Sequence, residues 1–313
     1  MDPSILYHKL RLIRRVEEEI ARVYPSDKIK SPVHLSIGQE AISAGVCDAL
    51  RPDDVVSASY RGHAAYLAKG GDLPAMIAEL FGKKTGCAGG KGGSMHLIGM
   101  ERFILGGSAV VGTSIPVAVG FALALKREGK GRVVAAFFGD GATEEGVFHE
   151  CMNFASLHKL PVLFVCENNL FAIHEPLHKR WATRQLCERI RTYGMPAHQI
   201  TSGDVLEIRS LAAEAIAPMR SGAQGPAFLE CHTYRWREHV GPGEDYEAGY
   251  RGREELMAWQ ERDQVRIMGA AIGPSERARI DAEIESSIAA AFEFAEKSEF
   301  PLKEDLYKHV YAQ

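Results

Sequence analysis

Three observations predict a doubly wound α/β fold with a mostly parallel sheet. Two apolar, β-rich runs, 132–138 and 161–166, bracket a helical stretch at 144–158. Strand-like and helix-like segments alternate along most of the chain. Each of the two runs also stops at turn-forming polar residues, Gly139-Asp140-Gly141 after the first and Glu167-Asn168-Asn169 after the second. A strand–helix–strand unit within one sheet makes its strands parallel. Asp140 and Asn169 are therefore expected together at the carboxyl ends of neighbouring strands, where open α/β sheets bind ligands.

The remaining elements follow in order. Residues 10–24 read as an amphipathic helix. Arg14, Arg15, Glu17, Glu18 and Glu19 inside it leave no long apolar core, so it is not a signal peptide. A second helix is expected at 34–50, after a loop around 28–32. A short strand at 53–60 runs into Tyr60-Arg61-Gly62-His63. Residues 72–81 are helical, and 82–93 form a loop rich in glycine and lysine. The stretch 103–125 has no charged residue and mimics a membrane span. Gly106, Gly107, Gly112, Pro116 and Gly120 make it instead a glycine-rich loop leading into a buried helix at 115–125. Beyond Asn169 come a helix at 183–193, a strand at 199–202, a helix at 205–220 and a strand at 227–234. Helices at 253–267 and 275–297 close the chain. In the last, Ile280, Ile284, Ile288 and Phe292 recur every four residues and form one apolar face. No linker or repeat interrupts the pattern, so 1–313 is expected to be a single domain with helical extensions at both ends.

Composition narrows the function. Hydrophobic residues make up 46% of the chain, enough for a sizeable core. A net charge of −4 gives no basic surface for nucleic acid. The six cysteines lack CxxC pairing, which fits reduced thiols of a cytoplasmic protein better than a zinc site or disulfide framework. No membrane association is expected.

Asp140 and Asn169 supply one carboxylate and one amide oxygen, a hard pair suited to Mg²⁺ that leaves other positions for phosphate and water. Gly139 and Gly141 let the backbone come close to a phosphate, and the following helix offers free N–H groups. Other phosphate motifs fail. Gly90-Lys91 has Thr85 where a P-loop needs glycine, and Gly92 follows the lysine. Gly106-Gly107 with Gly112 has neither the spacing nor the acidic residue of a dinucleotide site.

The pattern GDG followed by NN resembles the diphosphate-binding motif of thiamine diphosphate enzymes. Further segments resemble one branch of them, the alpha subunits of two-chain 2-oxo acid dehydrogenases of the pyruvate, branched-chain and acetoin types. His34-Leu-Ser-Ile-Gly-Gln39-Glu40-Ala41 is similar to that family's HLxxGQEA. Tyr60-Arg61-Gly62-His63 is similar to YRxH, and Gly89–His96 to GGKGGSMH. Phe300-Pro301, Asp305-Leu306-Tyr307 and Val310-Tyr311 resemble its closing segment.

The resemblance implies roles. Asp140, Asn169 and the Phe171 carbonyl would hold Mg²⁺. Gly139, Gly141 and Ala142 would receive the diphosphate on the backbone. Tyr60, Arg61, Arg235 and His239 would lie on the phosphate side. Ala109 and Val111 would support the aminopyrimidine ring, Val111 as the apolar wedge. His34, His63 and His239 are the candidate catalytic histidines, with His96 a further active-site candidate. Bland roles stand beside these: His34 bonding a helix terminus, His96 bracing the glycine-rich loop, Tyr60 packing.

The family's activating glutamate lies on a separate beta chain. The implied assembly is therefore α₂β₂, inactive as the isolated chain. The implied substrate is pyruvate or a short 2-oxo acid, with a lipoyl acyltransferase as downstream partner. Acetoin cleavage, or transfer of a two-carbon unit to a carbonyl such as a sugar, is the alternative. One departure is visible. Val240 follows His239 where mitochondrial relatives carry a phosphorylated serine, so that control is absent. Gly241, Pro242 and Gly243 predict that residues 235–246 stay mobile until an anion pairs with Arg235 and His239.

Overall fold

The computed structural model describes residues 2–308 and 310, so Tyr311 of the closing segment lies outside the described residues. Its strands are β1 (Val55–Ser57), β2 (Val134–Gly139), β3 (Val162–Asn168), β4 (Phe171–Ala172), β5 (Glu175–Pro176), β6 (Ala197–Ile200) and β7 (Ala227–His232). Five of them form one parallel sheet in the order β1-β2-β3-β7-β6, while β4 and β5 make a separate antiparallel hairpin. The predicted fold class is present.

Strands β2 and β3 read as unbroken apolar runs because both of their faces are covered. Val133, Ala135 and Phe137 point into one core, and Val134, Ala136 and Phe138 into the other. The first core is built with α1 (Pro3–Val23), α2 (Glu40–Ala49), α3 (His63–Ala68) and α4 (Leu73–Leu80). The opposite core uses α5 (Ser114–Glu128), α6 (Gly146–Leu157), the first residue of α7 (Leu177–Arg180), and α8 (Leu186–Arg191). Helix α9 (Val205–Arg220) returns to the first face. A small cluster of Tyr234, Tyr246 and Leu256 brings in α10 (Arg253–Gln260). Helices α11 (Gln264–Ala270) and α12 (Pro274–Lys297) finish the first core, the latter through Ile280, Ile284, Ile288 and Phe292 as its spacing predicts.

Three expectations need correction. Helix α2 starts at Glu40, not at residue 34. Gly38 has φ +94°, and the Tyr234 carbonyl lies 2.5 Å from where a Cβ would stand, so 34–39 is a loop, with His34 bridged to Gly241. The predicted helix 253–267 is two helices, because the Asp263 side chain accepts from Val265 N and starts α11. Helix α5 is buried on one side only. Ile115, Ala118, Val119, Ala122 and Leu125 face the core, but Val117 is exposed. Among the described residues no helix is long and apolar enough to cross a membrane.

Candidate active site

Gly139 at the end of β2 is in register with Glu167 near the end of β3, so Asp140 and Asn169 leave adjacent strand ends. Asp140 opens a tight 3₁₀ turn, Asp140–Glu144, in which Thr143 Oγ1 donates to the Asp140 carbonyl at 2.8 Å. On the other side, Asn168 Oδ1 accepts from Leu170 N at 3.1 Å and Asn169 Oδ1 from Phe171 N at 3.2 Å. Asn168 Nδ2 donates to buried Glu230 at 2.8 Å. These local bonds support Leu170 at φ 70° and Ile173 at φ 55°, conformations that side-chain-bearing residues seldom adopt. They turn the chain into the β4–β5 hairpin over the strand ends.

A cleft of about 260 Å³ opens at this edge. Its wall contains Tyr60, Arg61, Val111, Gly139, Asp140, Gly141, Ala142, Asn169, Phe171 and His239, ten of the residues singled out from sequence. A Cβ on Gly141 would stand 3.1 Å from Ala172 Cβ, so the glycine permits this close approach of turn and hairpin.

The other candidates are placed elsewhere. Ala109 is exposed and outside the wall. His34 lies behind the wall, its ring 4.6 Å from that of Tyr60 and 5.2 Å from that of His239. His63 is sealed off from the cleft. Its Nδ1 donates to Glu17 Oε1 at 3.1 Å and its Nε2 lies 2.7 Å from Ser94 Oγ. Glu17 in turn receives Ser36 N at 2.8 Å, so His63 ties three segments together and is not placed to exchange protons in the cleft. His96 Nδ1 donates to the Gly92 carbonyl at 2.8 Å, the bracing role.

Arg235 already has its anion. It is buried, pairs with Asp245 at 3.1 Å, and donates to the Arg237 carbonyl at 2.7 Å and the Ile173 carbonyl at 3.2 Å. It does not line the cleft, and what it holds is the hairpin turn. The 235–246 loop is bonded to the rest of the fold at several points. Trp236 N donates to Ile37 O at 3.0 Å, Gly241 N to Val33 O at 2.8 Å, and Arg61 Nη2 to His239 O at 3.1 Å.

Burial sets the charge states. It pulls His34 and His239 down to about 3, with the Arg61 cation adding to the effect, so both are neutral at pH 7. Burial brings Arg61 to about 10, still a cation. It pushes Glu167, also in the wall, up to about 7. Asp140 is raised by burial and drawn back by Arg180.

Among the residues at or near the wall that the sequence does not single out, three bear charge or hydrogen bonds on the Asp140–Asn169 pair or beside it. Glu167 is one. Gln39 accepts from Asn169 Nδ2 at 2.8 Å while its own Nε2 is buried without a partner. Arg180 pairs with both Asp140 and Glu144. Only Gln39 and Glu167 had a signal, since both lie inside motifs already noticed.

The site fits a metal-bound diphosphate on its own chemistry. A carboxylate and an amide oxygen converge, glycines clear a path to backbone N–H groups, and Gln39 Nε2 and Arg61 are donors for an anion.

A parallel α/β sheet with a phosphate-type cleft at its carboxyl edge defines the class. Over 98% of this chain, the structure is similar to transketolase from Campylobacter jejuni, with TM-score 0.58 and 17% identity, spanning half of that longer chain. Residues 8–303 match the family described as dehydrogenase E1 component. A pyruvate dehydrogenase E1 component subunit alpha from Porphyra purpurea is 37% identical, covering 98% of this chain and 92% of the relative. That from Zymomonas mobilis is 38% identical over 97% and 87%. The alpha subunit of acetoin:2,6-dichlorophenolindophenol oxidoreductase from Bacillus subtilis is 35% identical over 98% and 92%. The chain belongs to the E1 dehydrogenase family, as an alpha subunit of a 2-oxo acid dehydrogenase. Membership implies thiamine diphosphate as cofactor and a beta-subunit partner in a heterotetramer.

Proposed function

We propose that this chain carries the diphosphate half of an active site that decarboxylates pyruvate or a short 2-oxo acid and passes the acyl group to a lipoyl acceptor. The observation that carries the reading is the convergence of Asp140 and Asn169 on one glycine-lined cleft. Asp140, Asn169 and the Phe171 carbonyl hold Mg²⁺. The backbone of Gly141 and Ala142, with Arg61, Tyr60 and Gln39 Nε2, holds the diphosphate. Bound there, thiamine diphosphate supplies the electron sink for breaking the bond between the carboxylate and the oxo carbon. Val111, exposed on the rim, gives the ring system an apolar rest. His239, neutral and fixed by Arg61 at its carbonyl, is placed to accept or donate a hydrogen bond at the cleft mouth. Val110, Val111 and Val117 are exposed apolar residues, Val111 in the cleft wall, and we place the beta subunit on this segment. The six free cysteines fit a reducing cytoplasm.

A second reading, acetoin cleavage, is supported by the similarity to the Bacillus subtilis oxidoreductase subunit. Turnover by the chain alone and with its beta chain, on 2-oxo acids and acetoin with an artificial electron acceptor, separates the readings. Activity is expected only with the beta chain and highest on a 2-oxo acid. Preference for acetoin would replace the first reading with the second, and full turnover by the single chain would refute both.

A further inference from the structure

Arg180 stands at the end of α7, a four-residue helix reached directly from the β4–β5 hairpin. Its Nε donates to the Glu175 carbonyl at 3.0 Å, one Nη pairs with Glu144 and the other with Asp140. Its side chain is 8% exposed and that of Asp140 1%, so the guanidinium is enclosed between two acids and a carbonyl. Trp181 Nε1 donates to the same Glu144 oxygen at 3.1 Å. The hairpin that leads to Arg180 also carries Phe171. A positive group therefore already covers an oxygen of the carboxylate assigned to the metal.

We propose that Arg180 is a resident counter-ion of Asp140 that opposes a divalent metal arriving on the same carboxylate, which makes metal and diphosphate bind as a coupled pair. This deepens the reading above and rests on it. A carboxylate as buried as Asp140 needs a partner to stay ionised, and Arg180 supplies one before any metal does. A metal entering alone puts a second cation on the carboxylate that Arg180 already holds through one oxygen, and so weakens that ion pair. A metal entering with a diphosphate brings a new anion to the same cleft. A guanidinium binds phosphate oxygens through its planar fork, so Arg180 exchanges one partner for another. Re-partnering on the diphosphate lifts the penalty Arg180 places on the metal alone, and by linkage the metal enhances diphosphate binding by the same factor as the diphosphate enhances metal binding.

The test is Mn²⁺ binding to the chain assembled with its beta subunit, read by electron paramagnetic resonance of free Mn²⁺, with and without inorganic pyrophosphate. No turnover is needed. R180Q should bind Mn²⁺ alone at least tenfold more tightly than the native protein, and the enhancement by pyrophosphate should shrink by a similar factor. R180K, which keeps the charge without the fork, should fall between. D140N should lose Mn²⁺ with or without pyrophosphate. Unchanged or weaker Mn²⁺ binding in both Arg180 variants, with D140N still defective, overturns the counter-ion role and leaves the metal assignment standing. Native-level Mn²⁺ binding by D140N overturns the metal assignment itself.

Discussion

Glu79 on α4 anchors the glycine-rich loop, and removing its charge should release that loop. Its buried carboxylate accepts four backbone N–H groups. Ala88 and Gly90 reach one oxygen at 2.8 and 2.9 Å, Gly92 and Gly93 the other at 2.7 and 3.0 Å. In Glu79→Gln one oxygen remains, and the new amide nitrogen, itself a donor, faces two N–H groups. Hydrogen bonds to a charged partner contribute about 1.5–3 kcal/mol each, so losing two costs about 3–6 kcal/mol. That is a large fraction of the 5–15 kcal/mol that typically holds a domain together, in order of magnitude. The effect should appear first in the loop, and next at Ser94, whose hydroxyl lies on His63. Native-state hydrogen exchange at the amides of residues 88, 90, 92 and 93 reads this directly. A loss of about 3 kcal/mol lowers protection by roughly a hundredfold, since about 1.4 kcal/mol is tenfold. Protection within about threefold of the native protein would refute the reasoning and show that the loop is held by something other than this carboxylate.

Two further substitutions probe the site's supports. Gly38→Ala places a methyl against the Tyr234 carbonyl and the Trp236 ring at a left-handed φ of 94°. A cost of about 2–5 kcal/mol is expected in denaturant unfolding, from strain plus overpacking, and under about 1 kcal/mol would contradict the loop geometry. Glu167→Gln should change stability in a pH-dependent way. Burial raises this carboxyl from 4.5 to about 7, so it favours the protonated form on folding. Below about pH 4.5 it is protonated in both states and contributes no penalty; between about pH 4.5 and 7 the unfolded chain ionises while the folded one stays protonated, and the penalty grows to on the order of 3 kcal/mol, where it remains at higher pH. The glutamine variant should therefore gain more stability over the native chain at pH 8 than at pH 5. Equal differences at both values, measured in urea, would show that Glu167 is not held protonated.

The turn chemistry was legible in the sequence because it is local. The glycines and Asp140 stop β2, Asn168 and Asn169 stop β3, and the apolar runs between them can only be buried strands. The helix expected at 34–50 failed because nothing local shows that Tyr234 and Trp236, about 200 residues on, pack against Gly38 and force a loop. The β4–β5 hairpin left no periodic signal, being two residues a side and dependent on left-handed Leu170 and Ile173. The Arg235–Asp245 pair is set by a folded loop, not by spacing, so it has no local signal. Gln39 and Arg180 meet the Asp140–Asn169 pair only through the tertiary fold. The motifs mark ten residues of the cleft wall, and the folded chain adds Gln39 and Glu167 and places His34, His63 and Arg235 outside it.

The most direct test of the metal-bound diphosphate is an anomalous difference map from crystals of the α₂β₂ assembly grown with Mn²⁺ and thiamine diphosphate. A single strong peak per cleft is expected within about 2.0–2.3 Å of an Asp140 carboxylate oxygen, Asn169 Oδ1 and the Phe171 carbonyl, the range of hard-cation oxygen ligation, with the diphosphate on Gly141 and Ala142. A peak ligated by other residues, or a diphosphate bound with no metal on Asp140, would contradict it.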